Sequence, residues 1–308
     1  MILLCGIPTE PPLALVREAL DESGVPYALF NQRQFSIMEM EFEISNGGGV
    51  GGTLRVNGSR HRLEDFTGVY IRLMDDRVLP EVKDEPADSP MRLRCRVLHD
   101  TLTRWCEIAP TRVVNRAAPM GSNSSKPYQA QLIQQYGFEV PETLITNEAD
   151  LVRDFQRNHK GVIYKSISGM RSIVQTMTEE DDERLELIGW CPTQFQEFVE
   201  GMNVRVHTIG EQVFATAVHT QATDYRYAYR QVGDSAELTE FELSDELREK
   251  CVNLTKGLGL AFAGIDLKIT PDNRVFCFEV NPCPAYSYYE SNTGQPIARG
   301  LAKYLAGN

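Results

Sequence analysis

No run of about eighteen apolar residues occurs in this 308-residue chain, so the sequence offers no membrane-spanning helix. Cationic surplus is also missing. Lys and Arg number 31 against 43 Asp and Glu, a formal charge of −12. Sequence-independent nucleic-acid binding needs a basic surface, so neither a nucleic-acid nor a membrane partner is expected. The seven cysteines show no CxxC spacing, and the five histidines no HxH or HxxxH spacing. That excludes the usual zinc patterns and leaves reduced thiols in a cytoplasmic protein as the expectation. The opening MILLCGIPTEPP lacks a basic segment and is interrupted by Pro8, Pro11 and Pro12, so it does not read as a signal peptide. Internal repeats and low-complexity tracts are absent from the sequence.

What is present is ordinary globular composition, 42% hydrophobic and 24% charged, at a length that suggests about two domains. Ile2 to Cys5 reads as a strand, Leu13 to Leu20 as a helix stopped by Gly24, and Tyr27 to Phe30 as a second strand. This β-α-β opening predicts an α/β domain. The glycines of NGGGVGG sit between strand-like Glu41 to Ile44 and Thr53 to Val56. No helix N-terminus follows them, so they predict a hairpin turn rather than a phosphate loop. Met91 to Ile108 reads as a helix with Leu93, Val97, Leu98 and Leu102 toward the core. A Pro, Gly, Asn and Ser-rich break at Ala109 to Ser125 marks a domain boundary. Beyond it, helices are expected at Ser124 to Tyr136, Asn147 to Asn158, Ser244 to Leu258 and Gln295 to Leu305. Strands are expected at Glu142 to Ile145, Val162 to Lys165, Thr193 to Val199, Met202 to Thr208, Gln212 to His219, Ala261 to Ile269 and Arg274 to Val280.

The stretch AGIDLKITPDNRVFCFEVNPCPAYSYYE carries the strongest chemical signal. Strand alternation puts Val275, Cys277, Glu279 and Asn281 on one face and Phe276, Phe278 and Val280 on the other, apolar face. A hairpin centred on Asp272 and Asn273 places Asp266 directly opposite Glu279. Like charges facing each other on a sheet repel, and a divalent cation between them reverses that interaction. Asn281 adds a neutral oxygen, and such an all-oxygen set suits Mg²⁺. The same residues also fit a solvated hairpin with its carboxylates in water.

These residues resemble the metal-binding end of the ATP-grasp superfamily, DLK…FEVNP. Further pieces are similar in the same order: SSKPYQAQLIQQYGFEVPETLIT to the module's entry, VIYKSISG to its second-lysine strand and glycine loop, FQEFVEGMNVRV to its adenine hinge. The likeness runs from about Asn115 to Asn308. It implies an α/β protein in which two α+β lobes clamp ATP, preceded by a small α/β domain. The implied division is 1–114, 115–195 for the small lobe, and 196–308 for the large lobe with the metal site. CPTQFQEFVEG and AVHTQATDYRYAYRQ resemble peptide-modifying members, namely ribosomal-protein glutamate ligases and, more closely, graspetide macrocyclases of the microviridin type.

The resemblance implies a carboxylate–amine or carboxylate–hydroxyl ligase working through an acyl phosphate, with ATP and two Mg²⁺ ions as cofactors. A peptide is the implied substrate, a leader-bearing precursor being one form. A small-molecule amino-acid ligase and a phosphotransferase are the alternatives. A homodimer is the base-rate oligomer. Lys126 and Lys165 are then expected at the phosphates, and Ser168 and Gly169 in the loop closing over them. Gln196, Glu197, Phe198 and Val199 are expected along adenine, mainly through backbone groups, and Glu200 at ribose. Arg205 is expected to hold the γ- or acyl phosphate, and Arg230, beside Tyr229, to reach the acceptor. Asp266, Glu279 and Asn281 are the expected metal ligands. Taken singly, Lys126 reads equally as a surface lysine and Arg205 as half of a cross-strand ion pair. His207 and His219 read as packed histidines rather than general bases. Where relatives continue with PG, this chain has PCPAYSYYE, so Tyr286, Tyr288 and Tyr289 are expected to form a bulky wall at the acceptor pocket.

Overall fold

The computed structural model describes residues 1–166, 174–220 and 236–307. Strands β1 (Ile2–Gly6) and β2 (Tyr27–Asn31) open the chain. An antiparallel unit follows: β3 (Glu39–Ile44), β4 (Val50–Val56) and β5 (Ser59–Arg62). The glycine-rich stretch is its first turn, as its sequence context predicts. Its last glycine, Gly52, lies within β4 opposite Phe42 and is required there, because a Cβ at its φ of +154° would meet the Glu41 carbonyl oxygen at 2.2 Å. Next come β6 (Gly68–Arg72) and β7 (Arg112–Val114), completing a parallel sheet ordered β2-β1-β6-β7.

Every residue of β1 is buried, as expected of a parallel strand covered on both faces. Leu3 and Cys5 pack toward the helix Pro90–Ile108, and Ile2 and Leu4 toward the helices Pro11–Glu22 and Ile297–Ala306. The Pro90–Ile108 helix buries Cys95, Leu98, Leu102, Trp105 and Cys106. Leu93 and Val97, expected on that face, point outward instead. The inward stripe is set by the residues that meet Phe66 and Phe30, one step round the helix from the expected one.

The second half holds two antiparallel sheets. The smaller contains β8 (Thr143–Thr146), β9 (Val162–Ser166), β10 (Gln175–Thr176) and β11 (Thr193–Glu197), in the order β10-β9-β11-β8. The larger contains β12 (Met202–Ile209), β13 (Gln212–His219), β14 (Glu237–Glu240), β15 (Phe262–Ile269) and β16 (Val275–Asn281), in the order β14-β13-β12-β15-β16. The helices Lys126–Gln134 and Asp245–Gly257 cover one face of the larger sheet, with Ile133, Leu247 and Leu254 packed against Val204, Ile265 and Val280. The carboxy-terminal helix instead returns to the amino-terminal sheet, so the first and last segments share a core. Among the described residues no helix is long and apolar enough to cross a membrane, and all seven cysteines are free thiols.

Candidate active site

Asp266 and Glu279 are direct cross-strand partners on β15 and β16. The path to that pairing differs from the expected one. Near the turn Ile269 pairs with Val275 and Leu267 with Cys277, and an irregularity at Asp266/Leu267 shifts the register. Phe278 is the extra residue of this bulge. The bulge breaks the alternation read from the sequence. Val275, Cys277 and Val280 form the core face, while Phe278, expected with Val280, borders an open cleft.

Each carboxylate has a cation. Lys126, the first residue of its helix, places Nζ 2.5 Å from Glu279 Oε1 and donates also to Asn123 Oδ1 at 2.6 Å. Arg205 on β12 pairs across the sheet with Asp266, and its Nη1 lies 2.7 Å from Asp266 Oδ1. The Arg205 side chain is 7% exposed. It fits because position 264 is glycine: a Cβ there would meet Arg205 Nη2 at 2.1 Å and Pro284 Cβ at 2.8 Å. Tyr289 packs under the guanidinium at 5.6 Å. His207, wholly buried, accepts from Arg205 Nε at 3.5 Å, and burial first, then Arg205, holds its imidazole well below the usual pKa. His207 is thus a packed histidine, as expected. His219 is not packed as expected: it is the last residue of β13, is exposed and meets Thr239 Oγ1 on β14 at 3.0 Å.

The cleft opens to solvent, has a cavity volume of about 120 Å³ and adjoins both carboxylates. Lys165, Gln196, Phe198, Val199, Asp266 and Glu279 line it. Asn203, Lys268 and Phe278 line it too, and were not singled out as site residues. Asn203 and Lys268 share strand faces with Arg205 and Asp266, which was their available signal. Lys268 lies 5.4 Å from the Phe198 ring centre and 5.8 Å from that of Phe278, with no ion pair among the described residues. Burial lowers its pKa. Glu197 and Glu200 do not line the cleft. Glu197 Oε1 accepts the Glu142 N–H, and Glu200 is exposed. The N–H groups of Glu197 and Phe198 already donate to Glu142 and Gly161 carbonyls, so those two backbone donors are engaged within the protein. Ser168, Gly169, Tyr229 and Arg230 lie outside the described residues.

Asn281 Oδ1 accepts the Cys283 N–H at 2.9 Å, which orients the amide and leaves one lone pair. No group of three or more His, Cys, Asp or Glu side chains gathers among the described residues. Two carboxylates and an amide oxygen therefore fit a hard cation that takes its remaining ligands from phosphate and water, as Mg²⁺ does. The expected tyrosine wall is only partly there. Tyr286 is wholly buried and its OH donates to Pro12 O at 2.6 Å, because the segment after Asn281 docks on the helix Pro11–Glu22. Tyr289 backs Arg205, and Tyr288 alone is largely exposed.

Residues 123–305 match the family model described as RimK-like ATP-grasp domain. A "probable alpha-L-glutamate ligase" of Vibrio vulnificus is 26% identical over 218 residues, covering 67% of this chain and 71% of that protein. Its counterpart in Teredinibacter turnerae is 27% identical, covering 68% and 71%. Among solved structures, the ATP-grasp ligase PsnB complexed with minimal precursor, Mg and ADP is similar at a TM-score of 0.79 and 26% identity, over 99% of this chain and 96% of that one. The macrocyclase MdnC from Microcystis aeruginosa, bound with a precursor peptide, is similar at a TM-score of 0.79 and 20% identity, over 100% and 99%.

Proposed function

The chain belongs to the RimK-like ATP-grasp family, and from that premise we propose that it is an ATP-dependent, ADP-forming ligase acting on a peptide. Its finer form is a graspetide-type macrocyclase, joining side-chain Asp or Glu to Lys, Ser or Thr. The observation that carries the reading is the charge array at one end of the cleft: facing Asp266 and Glu279, each held by a cation, Arg205 and Lys126. The family match supports it, as do the likeness to glutamate ligases and the near full-length likeness to PsnB in complex with precursor, Mg and ADP.

In the proposed reaction a carboxylate oxygen of the peptide attacks the γ-phosphorus of ATP. The bond to the bridging oxygen breaks, and ADP leaves. An amine or hydroxyl then attacks the acyl carbon, loses its proton and expels inorganic phosphate. Both steps build negative charge on oxygen, so the site needs cations and donors more than a nucleophile of its own. Mg²⁺, held by Asp266, Glu279 and Asn281, would neutralise phosphoryl oxygens. Lys126 and Lys165 would hold phosphates, and Arg205, fixed by Asp266, Gly264 and Tyr289, would present its guanidinium to the transferring group. Gln196 to Val199 would border adenine. Ser168, Gly169 and Arg230 keep their expected roles over the phosphates and at the acceptor. The proposal keeps the division 1–114, 115–195 and 196–308, with the helix Lys126–Gln134 of the second unit packed on the sheet of the third.

Intact-mass analysis tests this reading. Peptides rich in Asp, Glu, Lys, Ser and Thr are incubated with enzyme, ATP and Mg²⁺, with Glu279→Gln as control. Loss of about 18 Da per bond, only with active enzyme, is the expected result. A gain of about 80 Da that resists hydroxylamine would make the protein a phosphotransferase instead.

A further inference from the structure

Among the described residues β16 is the last strand of its sheet, so its outer N–H and C=O groups have no strand neighbour there. Non-strand groups cover that edge. The Glu139 backbone donates to Val275 O at 3.3 Å and accepts from the Cys277 N–H at 2.8 Å. Further along, the Gln129 side chain takes over. Its Nε2 donates to Val280 O at 2.8 Å, and its Oε1 accepts the Val280 N–H at 3.0 Å. Asn115 Nδ2 then donates to Pro282 O at 2.6 Å. Gln129 is 1% exposed and Asn115 4%, so two buried amides bracket Asn281.

Gln129 lies one turn beyond Lys126 on the same helix. One helix face therefore meets the Glu279 carboxylate through Lys126 and the next residue's backbone through Gln129. We propose that Gln129 is a positioning residue, whose amide sets the β16 backbone at Val280 and thereby the directions of Glu279 and Asn281. The inference rests on reading those two residues as metal ligands. An amide is suited to the task because it donates and accepts in one plane without charge. Leucine at this position fills the space but strands two buried backbone groups. A glutamate keeps the acceptor for the N–H. Ionised, it sets an oxygen against Val280 O; protonated, it donates there as the amide does.

The test uses the full chain with ADP and with Mn²⁺ as the metal probe, bound Mn²⁺ being read by electron paramagnetic resonance. Adenosine binding and thermal melting report separately on the cleft and the fold. The proposal expects Gln129→Leu to bind Mn²⁺ about 10- to 100-fold more weakly while adenosine affinity stays within about twofold. It expects the deficit of Gln129→Glu, relative to wild type, to shrink as pH falls from about 8 to about 5.5 and the introduced carboxyl takes up a proton. Should Gln129→Leu fail to fold, the pH response of Gln129→Glu carries the test. Unchanged Mn²⁺ affinity in a folded Gln129→Leu, or a deficit of Gln129→Glu that ignores pH, overturns the proposal. Wild type that binds ADP but no Mn²⁺ overturns the metal-site reading itself, and the proposal with it.

Discussion

Lys126 Nζ lies 2.5 Å from Glu279 Oε1, although 153 residues separate them in sequence. Both side chains are about a quarter exposed, so the pair is largely desolvated, and removing one charge leaves the other without its partner. It holds the Lys126 ammonium against a carboxylate that lines the cleft, where phosphate and metal would each claim one of them. Glu279→Gln should therefore cost about 1–3 kcal/mol of stability and lower ATP turnover by about 100-fold or more. Parallel melting and ADP-release assays check both halves. Full turnover in the variant would remove Glu279 from the site.

Gly264→Ala makes a different demand. The added methyl would overlap Arg205 Nη2 and crowd Pro284, and neither can retreat easily inside a buried strand pair. Arg205 should leave Asp266, with a stability loss of about 1–3 kcal/mol and a fall in kcat larger than the change in KM for ATP. Arg205→Lys in the same assay should also lose kcat, since lysine cannot present the forked donors. A fully active Gly264→Ala would show that the guanidinium need not sit where it does.

Lys268 should show opposed effects on stability and binding. Its ammonium is partly buried against two rings with no carboxylate partner among the described residues, and burial lowers its pKa. Lys268→Met removes a desolvated charge, so the melting temperature should rise. The same change removes a donor from the cleft, so ATP affinity should drop about tenfold. Isothermal titration and melting measure the two, and a variant that gains stability without losing affinity would take Lys268 out of nucleotide binding.

His207 predicts a pH dependence. Its folded-state pKa is depressed, so below the ordinary value of 6.5 the unfolded chain binds a proton that the folded chain refuses. The stability it contributes is complete above that pH and is lost as pH falls. Wild-type stability should decline on acidification by up to about 1.4 kcal/mol per pH unit from this group, and His207→Gln should flatten that slope. Parallel melting curves for the two proteins between about pH 7 and pH 5 would contradict it.

Most strands and helices were legible because their apolar periods are local. The facing of Asp266 and Glu279 was legible for a subtler reason. The turn centres on Asp272 rather than between Asp272 and Asn273, which puts the pairing near it one residue out of the assumed register, and the bulge at Phe278 restores that register beyond it, so the two departures cancel at the carboxylates. Nothing in FCFEVN marks that bulge, so strict alternation places Phe278 in the core. Gln129 was invisible because QAQLIQQ reads as a polar helix surface; only the docking of β16 buries it. Tyr286 was misplaced for the same kind of reason, since its partner Pro12 lies 274 residues away. Short-range pattern finds elements and charged faces. It cannot see which backbone edge a distant side chain will complete.

The central claim is that a peptide carboxylate attacks phosphorus, and oxygen tracing tests it most directly. A peptide that passes the mass assay is labelled with ¹⁸O in its side-chain carboxyls and turned over with unlabelled ATP and Mg²⁺, and the released phosphate is analysed by mass spectrometry. One carboxyl oxygen should be transferred to each phosphate formed. Phosphate without label, or label kept wholly in the peptide, would contradict activation through an acyl phosphate.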